Sequence, residues 1–286
     1  MTIGTYFAYW AQEWKVDYSS YVYKARKAGF DLLEITSGIM TLSDGELEQL
    51  KKTAKDEGII LTACIGIPKE FDVSSENEET RRKGLDYVKK LFVSMDRADI
   101  RQLGGIIYAY WPCDYSLPVD KAAVRERSIV SVRELAEYAM RYGIKLVVEV
   151  VNRFEHFLIN DAREAVKYVK DVGCSNVSVM LDTFHMNIEE DNIGDAIRYT
   201  NELLGHLHIG ECNRKVPGKG HMPWKEIGKA LRDIGYSGYV VMEPFVKMGG
   251  GVARDIKVWR DLSDNADEAK MDADIAASLE FVRSVF

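Results

Sequence analysis

Apolar positions fall along this chain in two patterns, short continuous runs and helical stripes. Eight short runs rich in β-branched and aromatic residues begin near Ile3, Leu32, Ile59, Gly105, Lys145, Val177, His206 and Tyr239. Runs of this kind, bounded by glycine and polar clusters, predict strands. Successive runs start about 27 to 46 residues apart, which leaves room for one helix and two loops in each interval. In the intervals the pattern changes. Leu47, Leu50 and Ala54, then Val88, Leu91, Phe92 and Met95, recur in steps of three and four, so each set forms one buried stripe on a helix. Ser128 to Met140 is a further amphipathic run. Ser43 followed by Glu46 fits a capping box. Gly29 and Gly58 stand between a helical stretch and the next strand, where a left-handed C-cap is wanted, and Gly143 and Gly235 sit similarly. Eight strand–helix units with no linker or composition shift predict one (β/α)8 TIM barrel, a single domain over residues 1–286. The alternative is a doubly wound open sheet. No GxGxxG or GxxxxGK[ST] follows the first strand, which counts against it.

Composition narrows the function classes. Hydrophobic residues make up 47% and charged residues 29%, with only 6 prolines, so a disordered or collagenous chain is excluded. The net charge is −7 with no long basic run, the wrong sign for a surface that tracks nucleic-acid phosphates. The longest apolar stretch, Leu103 to Cys113, is too short to span a bilayer, so no membrane partner is expected. The N-terminus lacks a basic region and a cleavage site, and Cys64, Cys113, Cys174 and Cys212 are widely spaced with no CxxC pair. A cytoplasmic protein with reduced thiols is expected.

In a (β/α)8 barrel chemistry sits at the C-terminal ends of the strands. Strand five ends in Glu149, strand six in Asp182, strand seven in His208 and strand eight in Glu243. A carboxylate that closes an apolar strand is costly to bury alone. One such residue has a bland explanation, a helix cap or an arginine partner. Four ligand-type residues on consecutive strands predict a shared cation, one per subunit. Three oxygens and one nitrogen without thiolate suit manganese, cobalt or magnesium better than structural zinc.

Neighbouring residues each carry two readings. His206 shares a face with His208, one layer deeper, and reads as a core histidine rather than a ligand. Glu155 and His185 are loop residues or acceptors and donors for sugar hydroxyls. Arg214 either pairs with Glu211 or donates to substrate oxygens. Tyr6, Phe7, Trp10, Tyr108, Tyr110 and Trp111 crowd the ends of strands one and four, as core or as an apolar wall for a sugar. Glu34, at the end of strand two, is as well explained as a structural hydrogen bonder. Gly249-Gly250-Gly251 is read as a flexible loop rather than an anion nest, because no other phosphate feature accompanies it.

Several longer motifs then add a resemblance. Gly4-Thr-Tyr-Phe-Ala-Tyr-Trp10, Glu149-Val-Val-Asn-Arg-Phe-Glu155, Leu181-Asp-Thr-Phe-His-Met-Asn-Ile-Glu189, Gly210-Glu-Cys-Asn-Arg214 and Met242-Glu-Pro-Phe245 resemble the D-tagatose 3-epimerase / D-psicose (allulose) 3-epimerase family over essentially the whole chain. The resemblance implies Glu149, Asp182, His208 and Glu243 as ligands of manganese or cobalt, with Glu149 and Glu243 also the catalytic proton-transfer pair. It implies that Asp182, Glu155, His185 and Arg214 bind the reacting end of a ketose, while Tyr6, Ile106 and Trp111 line the pocket for its far end. The implied reaction is C3 epimerisation of free ketohexoses (D-fructose/D-psicose, D-tagatose/D-sorbose) through a metal-bound cis-enediolate, in a homodimer or homotetramer. The chain departs from the family at Cys64-Ile-Gly-Ile-Pro68, where Gly-x-Gly-Pro is common, and at Ile106, where relatives carry a smaller residue. The chemistry is thus better specified than the preferred ketose. An aldose–ketose isomerase on the same barrel and a sugar-phosphate epimerase are the alternatives. A metal-dependent apurinic endonuclease of similar fold would want a basic face and more than five histidines, and a non-catalytic sugar-binding protein has no use for carboxylates on both sides of one carbon.

Overall fold

The computed structural model describes residues 1–116 and 118–286. Its centre is a closed barrel of eight parallel strands: β1 (Thr2–Tyr6), β2 (Leu32–Ile35), β3 (Ile60–Ile67), β4 (Gln102–Tyr110), β5 (Lys145–Glu149), β6 (Val177–Asp182), β7 (Leu204–Ile209) and β8 (Tyr239–Met242). Each strand pairs with the next, and β8 returns to β1. Around it run α1 (Tyr18–Ala28), α2 (Asp44–Glu57), α3 (Glu78–Arg97), α4 (Lys121–Ala139), α5 (Ala162–Val172), α6 (Thr183–Glu189), α7 (Ile193–Thr200), α8 (Trp224–Asp233), α9 (Gly250–Ile256) and α10 (Glu268–Val285). The eight runs marked in the sequence are these eight strands. β4 and β7 begin earlier than their marked runs, at Gln102 and Leu204, and Gln102 is polar yet buried and hydrogen-bonded to His206 inside the barrel.

Local chemistry sets the helix ends. Ser43 and Glu46 form the expected capping box at the start of α2, and α1, α2 and α5 end on left-handed Gly29, Gly58 and Gly173. The amphipathic run from Ser128 is only the second half of α4. The helix starts at Lys121 behind an Asp120 cap, and its first two turns carry few apolar residues to mark them. The stripes face the barrel: Leu47, Leu50 and Ala54 of α2 and Val88, Leu91, Phe92 and Met95 of α3 are buried. Each such large side chain contributes roughly 1.5–3 kcal/mol on leaving water.

Two glycine positions shape the barrel mouth. Gly105 in β4 has φ +104°, and a Cβ there would meet the Ile65 carbonyl oxygen at 2.1 Å. The β3–β4 register shifts at this point, so that Ile67 pairs with Tyr110, and Trp111 N–H donates to the Ile67 carbonyl at 2.7 Å. Only glycine fits that backbone approach, which extends β4 toward the site. Gly249–Gly251 corrects an expectation. The triplet is no flexible loop: it leads into and opens α9, with φ +85° at Gly249 and +75° at Gly250. A Cβ on Gly250 would stand 2.2 Å from the Gln12 carbonyl oxygen, and Val252 N–H donates to that same oxygen at 3.0 Å. The glycines serve close packing against the loop after β1. Among the described residues no helix is long and apolar enough to cross a membrane.

Candidate active site and metal centre

Glu149 closes β5, Asp182 closes β6 in register with His208 of β7, and Glu243 directly follows β8. One ligand atom each from Glu149, Asp182 and His208 lies within 4.8 Å of the other two. Glu243 stands alongside this trio, its Oε1 3.5 Å from His208 Nδ1. Asp182 divides its two oxygens. Oδ1 caps α6 by accepting from Phe184 N–H at 2.8 Å, whereas Oδ2 is buried without a hydrogen-bond partner among the described residues. His208 Nδ1 is also buried and unpartnered. Buried polar atoms are rarely left so, and two of them facing one cluster fit a cation held at that point. Oxygen donors with a single imidazole match manganese, cobalt or magnesium. A second trio, Glu34, Cys64 and His208, is also close, but the Glu34 carboxylate already accepts from Thr62 Oγ1 (2.8 Å) and from His208 Nε2.

The electrostatics show the strain of crowded anions. Burial, reinforced by Glu243 and Asp182 against the opposing pull of His208, pushes the Glu149 carboxyl well above the usual carboxylate range. Burial and Glu243 likewise push Asp182 up to about 6. For His208 burial alone would favour the neutral ring, but Glu243 and Glu34 outweigh it and raise its pKa. A divalent cation held by this cluster would relieve the repulsion.

The rest of the site surrounds a cavity of about 680 Å3 at the barrel mouth, lined by Tyr6, Ile106, Trp111, Glu149, Glu155, His185, Arg214 and Glu243 among others. Asn152 Nδ2 lies 2.8 Å from His185 Nδ1. With the amide as donor, Nε2–H turns toward Asp182 Oδ2 (3.5 Å) and Glu149 Oε1 (3.9 Å). Burial, then the charges of Arg214 and His208, lowers the His185 pKa and keeps the ring neutral. Trp111 Nε1 donates to Glu155 Oε2 at 2.8 Å. Arg214, at φ +65°, stacks its guanidinium 3.5 Å from the centre of the Phe184 ring and reaches Glu243 Oε2 at 3.3 Å.

The xylose isomerase-like TIM barrel family matches residues 22–263. D-psicose 3-epimerase of Agrobacterium fabrum (strain C58) is 52% identical over 100% of this chain and 99% of its own length. A crystal structure of D-psicose 3-epimerase in the presence of D-fructose superposes with a TM-score of 0.98 at 52% identity, covering 100% of this chain and 99% of that one. D-psicose 3-epimerase with D-tagatose from Clostridium cellulolyticum H10 gives 0.98 at 51%, with the same coverage. The chain belongs to the ketose 3-epimerase family of xylose isomerase-like TIM barrels. As a member it is an enzyme, an isomerase acting on carbohydrates.

Of the residues singled out in the sequence for this family's site, eight line the cavity, and Asp182 and His208 lie buried beside Glu149, but some neighbours do neither. Phe7 packs against Tyr18 and Tyr21, Trp10 Nε1 donates to Asp272 of α10, and Tyr108 hydroxyl donates to the Glu149 carbonyl. These aromatics support the wall without lining it. Arg214 does not pair with Glu211. The buried Glu211 carboxylate instead accepts from Gly218 N–H (2.7 Å), Met222 N–H (3.1 Å) and Trp224 Nε1–H (2.7 Å), and so braces the loop that carries Arg214. His206 is fully buried below His208. Asn152 and Phe184 were not singled out. Both stand inside quoted motifs, but their roles depend on contacts with other strand ends. Trp14, Met40 and Ile256 also line the cavity, from loops whose reach no local pattern reveals.

Proposed function

We propose that the protein epimerises free ketohexoses at C3, interconverting D-fructose with D-psicose and D-tagatose with D-sorbose. Relatives named D-psicose 3-epimerase, one solved in the presence of D-fructose and one with D-tagatose, support that substrate class. One observation carries the mechanism. Glu149 and Glu243 line the same cavity from strand ends separated by β6 and β7, so two carboxylates approach a bound sugar from different sides. The C3–H bond beside a ketone is weakly acidic. One glutamate removes that proton, leaving a cis-enediolate, and the other, protonated, delivers its proton to the opposite face of C3. The roles exchange in the reverse reaction. Glu149, Asp182, His208 and Glu243 would hold a divalent cation, manganese or cobalt with magnesium as the alternative, which when bound would supply Lewis-acid stabilisation of negative charge on the substrate oxygens. Arg214 and the neutral His185 donate to the same oxygens and hold them in plane, while Glu155, fixed by Trp111, accepts from a hydroxyl. Tyr6, Ile106 and Trp111 exclude water around the rest of the sugar. The chain acts as one barrel domain over 1–286, in a homodimer or homotetramer.

The test is the fate of solvent hydrogen. Turnover of fructose in deuterated water with manganese present puts deuterium at C3 of the product and none at C1, read by NMR. Glu149→Gln and Glu243→Gln each lower turnover by orders of magnitude. Label at C1 without label at C3 indicates an aldose–ketose isomerase and refutes the proposal.

A further inference from the structure

Beneath the mouth the barrel interior holds a polar chain that the reaction itself does not use. Glu34 of β2 is fully buried and has no lysine or arginine partner among the described residues. Its Oε2 accepts from Thr62 Oγ1 of β3 at 2.8 Å, and its Oε1 bonds His208 Nε2. His206, two residues before His208 on β7, brings its Nε2 within 3.3 Å of the same carboxylate. The other nitrogen of His206, Nδ1, lies 2.7 Å from the side-chain amide of Gln102 on β4. With that amide as donor, His206 Nδ1 is an acceptor and its Nε2 carries the hydrogen that faces Glu34. Four strands therefore contribute to one network whose upper end is the His208 ring.

That network decides which face of His208 is available. A carboxylate accepts only, so the bond to Glu34 keeps a hydrogen on Nε2 and leaves Nδ1 as the nitrogen that can give up its proton and offer a lone pair to a cation. Nδ1 is the atom that is buried, unpartnered and turned toward Glu243. We infer that Glu34 is the positioning residue for His208: it fixes the ring's tautomer and orientation so that Nδ1, and not Nε2, is presented to the cluster with Glu149 and Asp182. Thr62 donates to the Glu34 carboxylate, the His206 ring stands against it with Nε2 at 3.3 Å, and Gln102 in turn orients that ring. A carboxylate behind a ligating imidazole also raises its basicity, and losing one typically costs 10–100-fold in metal affinity. The inference rests on the reading of His208 as a ligand.

The experiment measures the manganese dissociation constant of the metal-free protein by competition with a chelating indicator, for wild type, E34Q, E34D and D182A. The thermal midpoint of each metal-free protein is recorded in parallel. E34Q and E34D are expected to bind manganese 10–100-fold more weakly than wild type. E34D keeps the charge but is one methylene too short to reach the ring, so it carries the test should E34Q not fold. Wild type needs no variant for a second readout. Loaded with cobalt, it is expected to show a paramagnetically shifted, exchangeable N–H that is slow to exchange, because Nε2–H is buried against Glu34. Weakened binding in D182A but wild-type binding in the Glu34 variants, even with lowered thermal midpoints, makes Glu34 merely structural and overturns the inference. Wild-type binding in D182A as well removes the ligand reading together with this one. Fast exchange of the shifted proton also overturns it.

Discussion

His156 sits behind the site, and its titration should be visible in stability. Its ring stacks on Phe157 at 4.5 Å and meets Tyr108 and Tyr110 edge-on, Nδ1 accepts from Leu158 N–H at 3.1 Å, and Nε2 is buried with no partner among the described residues. Burial, with a smaller push from Lys121, lowers the imidazole pKa from 6.5 to about 4. The folded pKa is the lower one, so between these values the unfolded chain binds a proton that the folded chain refuses. The stability is complete above pH 6.5 and is lost as pH falls to about 4. At roughly 1.4 kcal/mol per pKa unit the whole loss is about 3 kcal/mol, of which about 2 has occurred by pH 5. His156→Phe keeps a flat ring among the aromatics and removes the titration, at a pH-independent cost of about 1 kcal/mol for the Leu158 bond. Urea unfolding from pH 7.5 to 5, with chelator present so that metal linkage is absent, gives the difference between the two proteins. The carboxylates titrate in both and cancel. Wild type should lose about 2 kcal/mol relative to the variant over this range. A difference that stays flat to within about 0.5 kcal/mol would refute the assignment of His156 as a buried neutral ring.

Two further substitutions probe the supports of the site. Glu211→Ala orphans the N–H groups of Gly218 and Met222 and the indole N–H of Trp224, and should cost about 3 kcal/mol or more. The thermal midpoint should fall by roughly 6 °C or more, and an unchanged midpoint would show that water replaces the carboxylate without loss. Trp111→Phe removes the 2.8 Å bond that fixes Glu155, worth about 1 kcal/mol. Steady-state kinetics should show KM for fructose about fivefold higher with kcat nearly unchanged, whereas a fall in kcat alone would place Glu155 in the chemical step instead.

How much of this was legible in the chain follows from the range of each interaction. Strand positions came from short apolar runs, since barrel strands are buried on both faces, and helix positions from a period of three to four, since burial of one helix face is a local constraint on sequence. The four strand-end residues were legible for a related reason: a charge at the end of an apolar run is an energetic anomaly wherever the run folds, and the barrel collects all such ends at one mouth. The Ser43–Glu46 cap and the left-handed glycines are equally local. What no window of sequence contains is the partner of a side chain. The tertiary structure decided that Arg214 stacks on Phe184 and reaches Glu243 rather than Glu211, because the loop after β7 turns at a left-handed Arg214 and spends Glu211 on its own amides. It decided that Gly249–Gly251 is a packed helix entrance, since only the approach of Gln12, some 240 residues earlier, makes a side chain there impossible. It also decided which of six aromatics line the cavity. Glu34, Thr62, Gln102 and His206 are unremarkable polar residues in their own strands. They become a network only when β2, β3, β4 and β7 close around one axis and bring Glu34 against Thr62 and the His206 ring, and that ring against Gln102, from different strands.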